Sequence, residues 1–291
     1  MQAKKTFQFI LSLLVMVGFI LIIALYWQPK AATDNNLKVY FLDVGQGDAS
    51  YIKTPTGEDI LIDGGPDSSI LNELGKVMPF SDREINLVIL SHPHTDHLTG
   101  LLDVLTRYKI DEVWETGVEY PSATYDSWRA AVKSKQIPDT IVKAGDEKSF
   151  GDTKIKILSP LSPIENKTLD NLNNASIVSR LDYNKFSVLY TGDAEKEVQT
   201  KLLANPETEL FATVLKVAHH GSSNGLAQDF LNAVRPAIAV ISVGYDNKFS
   251  HPHTQTLNLL KGGAVRIYRT DQNGTIEISS NGENYWVNSL K

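Results

Sequence analysis

Four side chains of metal-ligating type crowd into six positions, His92, His94, Asp96 and His97, within the stretch SHPHTDHLTG. The chain has only seven histidines, so three in one short segment is a concentration that solvation or core packing does not explain. Imidazole nitrogen with carboxylate oxygen is a donor set that suits zinc, and more carboxylate-rich sets suit manganese or iron. His92 and His94 lie two apart, so in an extended segment both point to the same side and can share one ion. Asp96 and His97 follow where the chain turns towards a helix, placed to face a second ion nearby. The chemistry such a pair of ions supports is hydrolysis, because two cations sharing an oxygen acidify a water between them and withdraw charge from a developing oxyanion.

Other candidates lie far away in sequence but in equivalent positions. Asp63 ends EDILIDGG, Asp193 sits in LYTGDAE, His219 and His220 end TVLKVAHHG, and His251 and His253 lie in SHPH. Each follows a segment that reads as a strand: EDILID, INLVILS, KFSVLYTGD, TVLKVAHHG and PAIAVISVG. Helical spacing follows in SSILNELGKVM, LTGLLDVLTRY, AEKEVQTKLLA, AQDFLNAVR and TQTLNLLKG. Strands alternating with helices, with hairpins mixed in, predict a mixed α/β sheet with helices outside. Loops beyond strand ends are where sites collect in such folds. Asp63, beside Gly64 and Gly65, is expected to accept a hydrogen bond from a ligand histidine and fix its tautomer. Asp43 and Asp48, in DVGQGD, are expected to shape the neighbouring loop, His253 to lie at the surface, and Ser222 and Ser223 to offer hydroxyls to a phosphate.

Composition narrows the function classes. Hydrophobic residues make up 42% and charged residues 21%, an ordinary globular balance, and there is no cysteine. Disulfides, thiolate metal sites and cysteine nucleophiles are therefore excluded. Residues 7–27 carry no charge, and 21 helical residues span about 30 Å, the thickness of a bilayer core. Lys4 and Lys5 precede this run, which predicts a membrane anchor with its amino terminus cytoplasmic and everything beyond the linker outside; cleavage after the run would instead yield a secreted protein. The domain division expected is 1–36 for stub, anchor and linker, and 37–291 for the hydrolase. Removing Lys4, Lys5, Lys30 and Asp34 from 28 basic and 34 acidic residues leaves 25 and 33, a formal charge of −8. That balance disfavours a tight nucleic-acid binder.

The H-x-H-x-D-H pattern after an apolar strand resembles the metallo-β-lactamase fold, a four-layer αββα sandwich. FLDVGQGDA, LIDGG, SHPHTDHLTG, NNASIV, LYTGDAE, LKVAHHGSS, ISVGYDNKFSHP and YRTDQNGTIEI resemble more closely the C-terminal domain of the ComEC family of DNA-uptake proteins. The resemblance runs from about Leu37 to the C-terminus. It implies that His92 and His94 ligate a first metal, that Asp96 and His97 ligate a second, and that Asp193 bridges both. One of His219 and His220 completes the second site, and the resemblance leaves open which. No histidine lies between His97 and His219, where many members of the wider fold have one. Asn173 or Asn174 stands there as a weak ligand or supporting group, so the first metal is expected to bind less tightly. Asp96 and His251 are the candidate catalytic residues, His251 as donor to a substrate oxyanion. Two divalent ions, zinc first and manganese second, are the expected cofactors. The function implied is a membrane-anchored, extracytoplasmic phosphodiesterase acting on DNA, nucleotides or wall polymers, with DNA nuclease activity as one form, and no protein partner is expected. The alternatives are hydrolysis of β-lactams, thioesters or lactones, or a non-catalytic module that holds a ligand through metal. A multi-span channel accompanies this domain in ComEC proteins, and the single apolar run here gives no ground for transport.

Overall fold

The computed structural model describes Met16, Gly18 and residues 35–291. Backbone contacts divide the chain into Met1–Asn35 and Asn36–Lys291, and the second unit is described here. The anchor expected over residues 7–27 lies outside the described residues apart from Met16 and Gly18. Among the described residues, no helix is long and apolar enough to cross a membrane.

The first half of the unit runs β1 (Leu37–Phe41), β2 (Ser50–Lys53), β3 (Asp59–Ile62), α1 (Ser69–Val77), β4 (Glu84–Ile85), β5 (Leu87–Ile89), α2 (Thr95–Arg107), β6 (Lys109–Ile110), β7 (Val113–Glu115), α3 (Ala123–Ser134) and β8 (Asp139–Ile141). The second half runs β9 (Glu147–Phe150), β10 (Thr153–Ser159), a 3₁₀ turn Leu172–Ala175, β11 (Val178–Tyr183), β12 (Phe186–Tyr190), α4 (Lys196–Ala204), β13 (Val214–Lys216), a 3₁₀ turn His219–Gly221, α5 (Gln228–Val234), β14 (Ile238–Ile241), α6 (Thr254–Gly262), β15 (Arg266–Arg269), α7 (Thr270–Asn273), β16 (Thr275–Ser280) and β17 (Tyr285–Leu290).

Two large sheets form among the described residues, in the orders β17-β16-β1-β2-β3-β5-β7-β8 and β15-β14-β13-β12-β11-β10-β9. Side-chain alternation decides how they stack. Val39 and Phe41 of β1 face inward and pack with Ile155, Ile157, Val188 and Val240 of the other sheet. Tyr40 and Leu42, one position away, pack instead with Leu98 and Leu101 of α2. On the second sheet Leu189, Leu215 and Ile241 turn outward against Leu202, Phe230 and Leu260 of the helices. The result is the four-layer αββα sandwich expected from the sequence. Strand β17 was not anticipated. Its residues are mostly exposed, so an edge strand open to solvent leaves no apolar alternation to read.

Within each half the parallel strands point their C-terminal ends the same way. Strand β3 pairs parallel with β5, and β12, β13 and β14 pair parallel in turn. Asp63, His92–His97, Asp193, His219 and His220, and His251 and His253 lie beyond these ends, whereas Asn173 and Asn174 precede β11, which runs antiparallel to β12. Helix α2 is held tightly against the loop after β3. Gly64 N donates to the His97 carbonyl at 2.7 Å, and Gly100 N donates to the Gly65 carbonyl at 3.0 Å. A Cβ on Gly100 would lie 2.0 Å from the Gly64 carbonyl oxygen, so only glycine permits this approach. Gly100→Ala is expected to cost about 1–3 kcal/mol through overpacking, measured as a lowered urea midpoint. An unchanged midpoint would mean the approach is not tight.

Candidate metal centre

All seven histidines of the chain join one network of ring contacts. It runs from His94 through His92, His97 and His220 to His219, His251 and His253, with centroid separations of 4.2–6.3 Å. Two sheets deliver them. His92, His94 and His97 follow β5, whereas His219 and His220 follow β13 and His251 and His253 follow β14. His253 is half-buried rather than at the surface. The segment before α6 packs back on the His219–Gly221 turn, so His253 N donates to the Gly221 carbonyl and His253 Nδ1 accepts from Ser223 N, both at 2.9 Å.

Asp193, after β12, stands at the centre. Its Oδ1 lies 3.4 Å from His97 Nε2. Its Oδ2 lies 3.9 Å from His92 Nε2, 3.9 Å from His219 Nε2 and 3.8 Å from His220 Nε2. The separations at Oδ2 are too long for hydrogen bonds. They are short enough for two donors to share a cation, whose bonds of about 2.0–2.2 Å reach at most about 4.2 Å between opposed ligands. Asp193 Oδ1, His97 Nε2 and Asp48 Oδ1 are all buried and have no hydrogen-bond partner among the described residues. Buried polar atoms are rarely left so, and this donor set fits divalent cations. Among the described residues, four overlapping groups have donor atoms within 4.8 Å of one another: His92–His97–Asp193, Asp96–His97–His220, Asp48–Asp193–His220 and Asp48–Asp63–His97. His94 Nδ1 lies 2.9 Å from His92 Nε2, so the two imidazoles meet on one side as their spacing predicts. His220, rather than His219, faces Asp96, with Nε2 3.2 Å from Asp96 Oδ2.

Outer contacts fix which nitrogen of each ring is free to donate. His220 Nδ1 lies 2.9 Å from the Ser242 carbonyl, to which it must donate, leaving Nε2 for the cluster. Asp63 does the same for His97, with Oδ2 2.8 Å from His97 Nδ1. The same oxygen accepts from Ser91 Oγ at 2.7 Å, and Ser91 Oγ lies 3.1 Å from His92 Nδ1. One carboxylate therefore orients a ring on each side of Asp193. Asp63 itself has φ 60°, a left-handed conformation that costs a non-glycine residue about 1–3 kcal/mol.

Charge in the site is strongly organised. Burial disfavours a charged His97, yet the carboxylates of Asp193 and Asp63 hold its pKa well above the ordinary imidazole value. Burial likewise opposes charge on His220, but Asp193 and Asp48 push it up to about 10. Burial would raise Asp193, and the neighbouring His97 and His220 charges outweigh it, leaving the carboxyl well below its usual range. The protons on His97 and His220 must leave before those nitrogens can donate to a cation, so cation binding is coupled to proton release. Burial, then the charges of His220 and His219, bring His251 down to about 4, so it is neutral at pH 7.

Two contributors, Glu195 and Ser176, were not singled out from sequence, and a third, Asp48, was given a lesser role. Asp48, expected only to shape a loop, is buried, and its Oδ1 lies 3.4 Å from His220 Nδ1. Its partner is the buried Lys216 ammonium, the one charge in strand β13, which was the signal available. Glu195, two residues after Asp193, lies 3.1 Å from His219 Nδ1. Ser176 Oγ accepts from Asp193 N at 3.0 Å. The two asparagines part company. Asn173 Nδ2 lies 3.3 Å from His219 Nδ1. Asn174 turns to helix α4, accepting from Glu195 N at 3.2 Å and donating to Glu197 at 3.0 Å.

Comparison with known proteins agrees with the geometry. The family model of the Metallo-beta-lactamase superfamily matches residues 42–245. ComE operon protein 3 of Bacillus subtilis (strain 168) is 30% identical over 257 residues, covering 82% of this chain and 32% of that protein. Competence protein ComA of Neisseria gonorrhoeae is 26% identical over 267 residues, covering 91% and 35%. The chain thus spans about a third of the length of these relatives, which bear out the resemblance to the ComEC family. Among solved structures, the metallo-beta-lactamase fold protein YhfI from Bacillus subtilis superposes with a TM-score of 0.56 at 12% identity, covering 87% of this chain and 99% of its own, a likeness of fold.

Proposed function

The chain belongs to the metallo-beta-lactamase superfamily, and from that premise we propose that it is a metal-dependent phosphodiesterase held at the outer face of a membrane by residues 7–27. The observation that carries the hydrolytic reading is Asp193, buried among four imidazole nitrogens at 3.4–3.9 Å, with no hydrogen-bond partner for Oδ1 among the described residues. His92, His94, Asp96, His97, Asp193 and His220 would hold two divalent ions. When bound, such ions supply Lewis acidity and a water acidic enough to ionise near neutral pH. Asp63, Ser91 and the Ser242 carbonyl keep the ring nitrogens that face Asp193 oriented for donation. Before any cation binds, Asp96, partly exposed, is kept ionised because the hydrogen bond from His220 and the charges of His97 and His220 outweigh its burial; with the ions in place, their positive charge would take over that role. Asp96 takes the proton of the attacking water and returns it to the departing oxygen as the phosphorus–oxygen bond breaks. His251, neutral and with Nδ1 unpartnered among the described residues, donates to the phosphoryl oxygen that gains charge.

The likeness to competence proteins supports a diester substrate. The charge of −8 on residues 37–291 favours a small or wall-linked diester over long DNA. The purified chain, assayed with bis-p-nitrophenyl phosphate, single-stranded DNA and nitrocefin, is expected to hydrolyse the diester and to lose that activity with chelator. Turnover of nitrocefin alone, or diester turnover indifferent to chelator, would overturn the reading.

A further inference from the structure

Resting on the metal-dependent reading above, we propose that the consecutive histidines serve different ions: His220 the second, and His219, oriented by Glu195, the first, as its third imidazole. The chain has no histidine between His97 and His219, and Asn173 stands at that place. Its amide is 3.3 Å from the His219 ring, so His219 fills the space beside the asparagine. Its Nε2 is 3.9 Å from Asp193 Oδ2, as is His92 Nε2; His220 Nε2, 3.8 Å from the same oxygen, is set apart by its approach to Asp96 Oδ2 at 3.2 Å.

The opposite edge of the ring is built to keep it there. Glu195 Oε1 faces His219 Nδ1 at 3.1 Å and accepts from Asn173 Nδ2 at 3.2 Å, while Glu195 Oε2 accepts from Asn171 Nδ2 at 3.0 Å. A carboxylate with three donors, its side chain 16% exposed, is not a loose surface pair. It places the proton on Nδ1 and leaves Nε2 as a donor. The backbone supplies the second argument. His219 and His220 have φ of 50° and 51°, two adjacent left-handed non-glycine residues, a conformation sustained only where surroundings impose it. This conformation sends the neighbouring rings apart, 6.1 Å between centroids and 68° between planes, so that one reaches Asp96 and the other Glu195.

The test is zinc titration by calorimetry of the full chain after chelation, without substrate, with folding monitored by circular dichroism. The wild-type chain is expected to bind two ions. His219→Ala should weaken one of them by at least about a hundredfold while the other stays within about threefold, and His220→Ala should do the reverse. Glu195→Gln should weaken the same ion as His219→Ala by about 10–100-fold, the usual loss when a partner of a ligand histidine is changed; being conservative, it carries the test should the alanine variant not fold. Two ions bound with wild-type affinities in both His219→Ala and Glu195→Gln, equal weakening of both ions, or fewer than two ions on the wild-type chain would each overturn the assignment. A chain that binds zinc in the expected pattern but cleaves no diester would sink the phosphodiesterase reading and leave this one standing.

Discussion

Asp193→Ala is expected to bind neither ion measurably and to lose at least about a thousandfold in chelator-sensitive hydrolysis. Among the described residues, Asp193 is the only carboxylate that lies within 4 Å of His92, His97, His219 and His220 together. Removing it deletes the anionic oxygens on both sides of the centre at once. Charge stabilisation by bound ions is worth several kcal/mol, and about 4 kcal/mol corresponds to about a thousandfold in rate. Asp193→Asn separates charge from volume. The amide fills the same space and leaves a neutral oxygen towards one side only, so it should keep at most one ion. Metal content by emission spectroscopy, alongside diester turnover, decides the matter. Two ions per chain in the alanine variant, or more than a tenth of the activity, would remove Asp193 from the centre.

The second large effect is expected from Asp63→Asn, which touches no substrate and no cation. Its Oδ1 accepts from Ser91 N at 2.7 Å, and its Oδ2 accepts from Ser91 Oγ and faces His97 Nδ1 at 2.8 Å. An asparagine must place its NH₂ against one of these. Facing His97, it would drive the ring proton to Nε2, the atom that must face the centre. Facing Ser91 N, it would set two donors against each other in a buried site, a loss of about 1–3 kcal/mol. Either way the ligands on both sides of Asp193 lose their orientation, because His92 is held through the same Ser91 hydroxyl. Cation affinity by chelator competition should fall about 10–100-fold at each site. A change below about threefold would show that ring orientation is set elsewhere.

How much of this centre can be read from the chain depends on where each contact lies. His92, His94, Asp96 and His97 are legible because their geometry is local: an apolar strand ends and a helix begins within six residues. The αββα layers are legible because β1, β3, β5 and β12 to β14 carry period-2 or continuous apolar runs. The choice between His219 and His220 is not, since it turns on two left-handed φ angles that the loop environment imposes on residues with no intrinsic preference for them. Asp48 was underrated because the partners that bury it, Lys216 and His220, lie more than 160 positions away. Glu195 looked like the start of a helix, and only the fold brings His219 and Asn173 to it.

The centre is assembled across the two sheets: Asp63 and His92–His97 hang from one, Asp193 and His219–His220 from the other. An ion held by residues of both sheets would act as a rivet through the seam of the sandwich. Opening the sheets then requires letting the ion go, so resistance to proteases rises with free cation, by about 2.7 kcal/mol when the ion stands at a hundred times its Kd. Scarcity of the metal would shorten the lifetime of the protein as well as silence it.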